Sequence, residues 1–160
     1  MFIIDKVQDK IIKSTSMEEA FNYIKEYPLI GNFMAYQLIT DINYSEVINF
    51  SENSFTVAGP GSERGIKKCF IDLQGGSKED AIMWMYENQE YEFKRLNLDF
   101  KYLGNRKLQY IDCQNLFCEL DKYCRKAVPD IKSNRIKIKK KYFQNADRIE
   151  YFYPPKWNIR

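Results

Sequence analysis

Residues 55–66 read FTVAGPGSERGI and hold three of the seven glycines of this 160-residue chain: Gly59, Gly61 and Gly65. Glycine lacks a Cβ, so it permits left-handed backbone angles and lets another group come close to the main chain. The cluster therefore predicts either an ordinary tight turn before a helix or a loop whose bare backbone contacts a ligand.

The spacing of the cluster fits a helix-hairpin-helix element, in which an apolar residue precedes G-x-G and a small residue follows four positions later. The residues that match are Val57, Gly59, Pro60, Gly61 and Gly65. Such a hairpin points backbone N–H groups at an anion, and its last glycine lets the two helices approach closely. Arg64 and Lys67 or Lys68 add positive charge for the same phosphate. The G-x-x-x-x-G-K-[ST] spacing of a nucleotide P-loop is not matched. The cluster therefore predicts a grip on a phosphate backbone, with a plain turn as the alternative.

The remainder of the chain reads as mostly helical, in a single domain. Ser16 forms a capping box with Glu19, and Ser77 caps the helix that follows it. Helices are predicted over 3–13, from Ser16 to Pro28, from Phe33 to about Asn43, and over 62–73, 78–96 and 108–127. The last thirty residues alternate, as in RIKIKKKYF, which predicts a short strand or an extended arm. We expect shortened N-terminal helices (1–28), a core with the hairpin (29–128) and a basic arm (129–160).

Composition narrows the chemistry that this chain can perform. Hydrophobic residues make up 44% and aromatic residues 16%, which is typical of a folded protein. Histidine is absent, which excludes a His base, a Ser-His-Asp triad and any zinc site that contains His. The four cysteines lack C-x2-C pairs, so we expect buried free thiols in a reducing compartment and neither a metal nor another cofactor. No apolar run reaches the length of a membrane span and no signal peptide is evident, so a cytoplasmic location is expected.

Positive charge is concentrated at the C-terminal end of the chain. Residues 121–160 carry 12 Lys and Arg against 4 Asp and Glu, whereas the first 120 residues carry 13 against 18. A basic stripe with interleaved aromatic residues suits contact with a phosphate backbone. A solvated tail is the alternative.

Two helices carry polar residues that could serve a site. On residues 111–125 a polar stripe shares one face, and Gln37 and Asp41 share a face of the helix that begins near Phe33. The stripe consists of Asp112, Asn115, Glu119 and Lys122. Together these side chains could line a pocket in which an extruded base is read by its polar edge. A solvated helix surface explains the same pattern.

Asp80 is a further candidate, because it lies 19 residues past Gly61 at the start of a helix. In base-excising proteins of the helix-hairpin-helix class, a catalytic Asp commonly follows the hairpin by about that distance. Helix capping after Ser77 is the alternative explanation.

Taken together, these motifs resemble one family over about residues 29–145. The stretches that carry the resemblance are IGNFMAYQLITDINYS, AGPGSERGI, LQYIDCQNLFCELDKYCR and NRIKIKKKYF, in that order. They are similar to the alpha-glutamyl/putrescinyl thymine pyrophosphorylase-like proteins of phages and bacteria, which are related to the helical domain of 5-hydroxymethyldeoxyuridine DNA kinases. The resemblance implies a helical, DNA-glycosylase-like fold that excises or modifies thymine-derived or hypermodified bases in phage-type DNA.

The resemblance also implies most residues of the site, to which the glycine-cluster and helix-face arguments above add Lys67 and Gln37. Asp41, Glu119 and Lys122, with Asp80 from the spacing above, are the expected catalytic groups. The expected DNA contacts are Gly59, Gly61, Arg64, Gly65, Lys67, Arg135 and Lys137, and the expected base pocket is Gln37, Gln114, Asn115 and Tyr123.

The chain departs from this family in two respects. Only about 28 residues precede the first matching stretch, where relatives carry a longer helical portion, and no P-loop is present, so kinase activity is not expected. A non-catalytic DNA-binding or regulatory subunit, with a partner chain that supplies the missing portion, is therefore the alternative to an enzyme.

Overall fold

The computed structural model describes residues 5–128, 130–131, 147–148 and 150–159. Helices account for nearly all of the regular structure in these residues, and the β-structure described there is one isolated bridge between Leu103 and Arg106. The helices are α1 (Val7–Lys13), α2 (Met17–Lys25), α3 (Asn32–Asn43), α4 (Pro60–Cys69), α5 (Lys78–Arg95) and α6 (Tyr110–Ala127), followed by a 3-10 turn at Pro155–Trp157. The predicted mainly helical fold is confirmed. The predicted strand or arm over RIKIKKKYF lies outside the described residues.

Helices α1, α2 and α3 build the first of two hydrophobic clusters. Apolar residues recur at helical spacing on α2, so one face of that helix is buried against its neighbours. The capping box predicted for α2 forms only in part. Ser16 accepts the Glu19 N–H at 3.1 Å, but the Glu19 carboxylate accepts from the N–H of Thr15 at 2.7 Å rather than from that of Ser16.

Residues 44–59 join the first cluster to α4 without forming a helix. The buried Asn43 side chain holds the start of this connection, because it donates to the carbonyl of Phe50 at 3.1 Å and accepts from its N–H at 2.9 Å. The chain then runs on to Gly59, which is the N-cap residue of α4. The glycine cluster thus begins one helix instead of joining two, and the helix-hairpin-helix element is not confirmed.

The three glycines serve close packing. A Cβ on Gly65 would lie 1.9 Å from the carbonyl oxygen of Phe117, and one on Gly61 would lie 2.4 Å from Cys118 Sγ. Both positions bring α4 against α6, while a Cβ on Gly59 would lie 2.4 Å from the Phe33 ring of α3. None of the three has a positive φ, so the left-handed angles that glycine permits are not adopted here. The predicted close approach of two helices is confirmed, but the helix that α4 meets is α6.

Helix α5 begins as predicted and closes the second cluster. Ser77 Oγ accepts the Asp80 N–H at 3.0 Å, and the Asp80 carboxylate accepts the Ser77 N–H at 2.6 Å. Ala81 and Ile82 are buried with Phe117 of α6. Two of the four thiols are buried, Cys113 and Cys124, whereas Cys118 is half-buried and Cys69 is exposed, so the prediction of four buried thiols was wrong.

The described C-terminal residues return to the first cluster. Lys156 Nζ donates to the carbonyls of Asn43 and Phe50, both at 3.0 Å. The Trp157 ring lies 4.0 Å from the Arg106 guanidinium and 5.3 Å from the Tyr44 ring. Among the described residues, no helix is long and apolar enough to cross a membrane.

Candidate nucleic-acid interface

The interface between α4 and α6 contains a fully buried carboxylate, that of Asp121, which contacts three cations. Lys68 Nζ lies 2.5 Å from Asp121 Oδ1, while Arg64 Nε and Arg125 Nη2 lie 3.0 Å and 3.1 Å from Oδ2. Lys68 and Arg125 are almost wholly buried, whereas the Arg64 side chain retains 28% exposure. These four groups carry two more positive charges than negative ones.

The packing of α4 on α6 creates this cluster. Gly61 and Gly65 bring the helix axes together, so the longer side chains one turn further along α4 reach Asp121. Burial acts to raise the pKa of Asp121, but the hydrogen bonds from Lys68 and Arg64 outweigh it and the pKa is lowered. The carboxylate therefore stays ionised and fixes the cations at one end of the interface.

The surface at that end is basic. Lys67 and Lys126 are exposed and Lys122 is half-exposed, so they extend the charge of the buried cluster outward. Over α4 and residues 119–127 of α6, six basic residues stand against three acidic ones. We call Arg64, Lys67, Lys122 and Lys126, with the buried Lys68 and Arg125 beneath them, the α4–α6 basic surface.

The start of α4 is less suited to an anion than the sequence predicted. No side chain caps Gly59, but the Ala58 N–H is occupied by the Glu79 carboxylate at 2.8 Å. Glu63, in the first turn, pairs with Lys78 at 2.7 Å. Two carboxylates thus lie beside the glycine cluster, and the positive charge gathers further along the helix, at Arg64, Lys67 and Lys68.

Of the predicted base-pocket residues, Gln114 lies against Gly59, and Gln37 lies on α3 one turn past Phe33, whose ring also approaches that glycine. Gln114 is buried, and its side-chain oxygen would lie 3.2 Å from a Cβ on Gly59. The Phe33 ring contacts the same glycine, and Gln37 follows it by one turn on α3. Within the described part of the chain, the buried Gln37 Nε2 has no hydrogen-bond partner. Buried donors normally have a hydrogen-bond partner, and the described fold does not provide one for this amide.

The other two pocket residues are placed differently. Asn115 is exposed, and its side-chain oxygen accepts from Gln114 Nε2 at 2.9 Å. Tyr123 is 64% exposed and lines a separate groove between α5 and α6.

Of the predicted catalytic groups, Glu119 and Lys122 contact each other, whereas the three carboxylates Asp41, Asp80 and Glu119 do not meet in the described structure. Asp80 caps α5, and its bonds from Ser77 lower the pKa of its carboxyl. Glu119 pairs with Lys122 at the surface, and this hydrogen bond raises the pKa of Lys122. Asp41 is exposed on α3. No described hydrogen bond, ion pair or cavity joins any two of these three carboxylates.

Asp112, from the same polar stripe, has a structural partner. Its carboxylate lies 2.6 Å from Arg106 Nη1 and accepts the Gln109 N–H at 2.8 Å, and Arg106 Nη2 also meets Glu52 at 2.8 Å. These contacts join α6 to the loop before α4. Asp112 is thus engaged in the fold.

Sequence reasoning missed Asp121 and Arg125. The pair has the i, i+4 spacing of a helix ion pair, and Asp121 continues the face of Gln114 and Phe117. An Asp on the buried face of a predicted helix is the sequence feature that could have identified Asp121. The predicted DNA contacts Arg135 and Lys137 lie outside the described residues.

Comparison with known proteins agrees with the helical architecture. A family model described as the helical domain of 5-hmdU DNA kinase matches residues 1–133. The 5-hmdU DNA kinase of Bacillus phage SP10 is 29% identical over 134 residues, which is 76% of this chain and 21% of that protein. The chain therefore spans about a fifth of the length of this curated relative. No solved structure matches the chain.

Proposed function

This chain belongs to the family of 5-hmdU DNA kinase helical domains, and we propose that it is a DNA-binding module for DNA with modified bases. The observation that supports this proposal best is the α4–α6 basic surface, where a buried Asp121 holds the partly exposed Arg64 in place and Lys67 and Lys126 are exposed. Cations that are fixed before DNA arrives lose less side-chain entropy on binding than flexible ones.

The phosphorylating chemistry in this proposal belongs to another unit. The relative in Bacillus phage SP10 is a kinase by name, and four-fifths of its length has no counterpart here. The present sequence has no P-loop to cradle nucleotide phosphates. The module would hold DNA with 5-hydroxymethyluracil or a related base while a kinase-type unit, in the same or a partner chain, acts on it.

Fluorescence anisotropy with two labelled duplexes tests this function. One duplex contains 5-hydroxymethyluracil and the other contains thymine at the same positions. We expect both to bind, with an affinity that falls steeply between 50 and 200 mM salt because each phosphate contact releases counterions, and we expect tighter binding of the modified duplex. An affinity that does not change between 50 and 200 mM salt would contradict the proposal.

Matched variants locate the contact surface. Arg64→Gln with Lys67→Gln should weaken binding to both duplexes alike, because phosphate contacts carry no sequence information. Lys101→Gln, at an exposed position paired with Asp99, is the control and should bind like the unchanged protein.

A second candidate function is base excision or modification, as in the thymine pyrophosphorylase-like proteins that the sequence resembles. The unpartnered Gln37 amide and the neighbouring position of Gln114 at Gly59 favour it, because an extruded base presents a polar edge that such amides can read. Asp41, Glu119 or Asp80 would then stabilise the developing charge, with Lys122 beside Glu119.

Analysis of released and altered bases after incubation with modified phage DNA tests that candidate. The triple variant Asp41→Asn, Asp80→Asn, Glu119→Gln should abolish turnover and leave DNA binding intact. If base release persisted in the triple variant, these carboxylates would not be the catalytic groups.

A further inference from the structure

A cavity of about 370 Å³ lies between the end of α4 and the start of α5, and we call it the α4–α5 pocket. Its volume is in the range of pockets that hold small organic groups. The walls come from the C-cap residue of α4, from the connection between the two helices and from the first two turns of α5. The lining includes Phe70, Asp72, Gln74, Ser77, Asp80 and Trp84.

One wall of the pocket is aromatic. The Trp84 ring meets the Phe70 ring edge to face, with centroids 6.0 Å apart and ring planes at 88°. Phe70 also packs on Phe117 of the second hydrophobic cluster, at 6.2 Å between centroids, so the wall is anchored in the core. Trp84 nevertheless remains 46% exposed. An aromatic surface that the fold holds in place and leaves open to a cavity is suited to stacking with a planar base.

The polar part of the lining has two carboxylates with free acceptor oxygens. Asp80 Oδ2 accepts from the Ser77 N–H at 2.6 Å and from its hydroxyl at 2.8 Å, and Asp72 Oδ1 accepts the Gln74 N–H at 3.0 Å. Within the described residues, the second oxygen of each carboxylate has no hydrogen bond or ion pair. The bonds from Ser77 lower the pKa of Asp80, so its carboxylate is ionised and acts only as an acceptor at neutral pH.

A tight turn brings the connection against α5. The Gly76 N–H donates to the Leu73 carbonyl at 2.8 Å, and Gln74 and Gly75 between them both have positive φ, 51° and 84°. A Cβ on Gly76 would lie 3.0 Å from the Leu73 oxygen and 3.4 Å from Asp80 Oδ2. The absence of a side chain at Gly76 therefore lets the turn approach Asp80, and the pocket has its shape before a ligand arrives.

The charge of the lining favours a base over a phosphate. Asp72 and Asp80 are the charged side chains among the described lining residues, so the pocket repels an anion. Its ligand needs flat faces for Trp84 and N–H or O–H donors for the carboxylates. A uracil-type base with a hydroxymethyl group at C5 offers both, because the ring N3–H and the hydroxymethyl O–H are donors. Thymine lacks that hydroxyl and would leave one acceptor unpaired.

The pocket also lies next to the surface that we assign to DNA. Lys67 of the α4–α6 basic surface precedes Phe70 by three positions, which is close to one helical turn. A strand whose phosphate contacts Lys67 therefore lies near the aromatic wall. A nucleotide that leaves the base stack of this strand can place its base in the pocket.

We infer that the α4–α5 pocket receives a 5-hydroxymethyluracil-type base extruded from DNA, which stacks on Trp84 and donates its N–H and O–H groups to Asp72 and Asp80. This inference rests on the proposed function and adds to it the site at which the modified base is distinguished from thymine. Gln37 and Gln114 beside Gly59 form a different region, which belongs to the second candidate function.

Anisotropy with the two duplexes described above tests the pocket. The unchanged protein should prefer the modified duplex at least about fivefold, because one more donor is paired. Trp84→Ala and, separately, Asp72→Ala should reduce this preference to less than about twofold and leave the salt dependence unchanged, because neither residue contacts phosphate.

Tryptophan fluorescence gives a second readout of the same contact. The modified duplex should quench the emission of the unchanged protein, because a base stacked on Trp84 lies against its indole ring. Trp84→Phe should lose this quenching but keep most of the preference, because it retains an aromatic face. This variant keeps the inference testable even where Trp84→Ala impairs folding, which circular dichroism melts would show.

Tyr91→Ala is the matched control. Tyr91 is an exposed aromatic residue about two turns further along α5, and it does not line the pocket. This variant should keep both the preference and the quenching of the unchanged protein.

Four results would overturn the pocket. These are equal binding of both duplexes by the unchanged protein, a preference that survives both Trp84→Ala and Asp72→Ala, and loss of the preference in Gln37→Ala with the pocket variants unaffected, which would place the base beside Gly59. The fourth is quenching by free 5-hydroxymethyl-2′-deoxyuridine but not by the duplex, which would make the ligand a soluble nucleoside. All four leave salt-dependent DNA binding intact, whereas loss of that salt dependence would contradict the proposed function itself.

Discussion

At the scale of single residues, Asp121 shows how a buried charge can organise a surface. Its carboxylate is fully buried and its pKa is lowered, because the bonds from Lys68 and Arg64 outweigh the effect of burial. A depressed pKa contributes stability above the unfolded value, about 3.9, and that contribution is lost as the pH falls through the folded value. The position of Arg64, which we assign to the DNA contact, therefore depends on an ionised Asp121.

Replacing Asp121 with Asn should lower the free energy of unfolding by about 3 kcal/mol at neutral pH, because three cations lose their shared counter-charge. Urea unfolding measures this difference. The gap between the variant and the unchanged protein should begin to narrow below about pH 3.9, the unfolded value, and should go on narrowing as the pH falls through the lowered pKa of the folded carboxylate. Asp99→Asn, in an exposed ion pair, should change stability by less than about 0.5 kcal/mol. If Asp121→Asn and the unchanged protein had the same free energy of unfolding, Asp121 would not stabilise the fold.

The cysteines give a second prediction at this scale. Burial raises the pKa of the Cys113 thiol to about 12, whereas Cys69 is exposed although burial also raises its pKa. A disulfide reagent at pH 8 should therefore modify Cys69 well before Cys113, because the thiolate is the reacting form and must be accessible. Mass spectrometry of partly modified protein shows in which order the thiols react. Early modification of Cys113 would show that α6 opens.

At the scale of elements, the α4–α6 pair is what the glycine cluster specifies. Periodicity and caps predicted all six helices, because caps and apolar spacing are local properties. The role of the glycines was not local. Gly61 and Gly65 lack a side chain because α6 packs directly against their backbone. Helix α6 begins more than forty residues further along the chain. Sequence spacing alone could not distinguish that approach from the approach of a phosphate.

Gly65→Ala tests this packing. The new Cβ would meet a backbone oxygen at 1.9 Å, so the helices must separate, and we expect a loss of about 2 kcal/mol despite the better helix propensity of Ala. Gly31→Ala, where no atom lies within 4 Å of the new Cβ, weakens only the N-cap of α3 and should cost less, about 0.5 to 1 kcal/mol. Thermal unfolding followed by circular dichroism compares the two variants. A neutral Gly65→Ala would show that the helices have room to move.

At the scale of the whole molecule, both ends of the described chain meet the first cluster. Sequence reasoning placed Arg64 and Lys67 in the DNA contact and Gln37 and Gln114 in a pocket, and these assignments remain proposals. It missed Asp121, because a buried partner for surface cations appears only once α4 lies on α6. It also missed the attachment of Trp157 to Arg106 and Tyr44, residues separated from it by at least fifty positions.

The attachment of the C-terminal residues should contribute to stability. Trp157→Ala removes a ring that packs on Arg106 and Tyr44, and we expect a loss of about 2 kcal/mol in urea unfolding. Tyr151→Ala, at a position 77% exposed, is the control and should have little effect. If both variants unfolded alike, the contact around Trp157 would not support the fold.

The central claim is that the α4–α6 basic surface holds DNA, and the salt dependence of binding tests it most directly. The slope of log K against log salt counts phosphate contacts, at about 0.9 per contact for duplex DNA. The double variant Arg64→Gln, Lys67→Gln should bind more weakly and with a slope smaller by about 1 to 2, while Lys101→Gln should keep the slope of the unchanged protein. An unchanged slope in the double variant would place the DNA on another surface and contradict the claim.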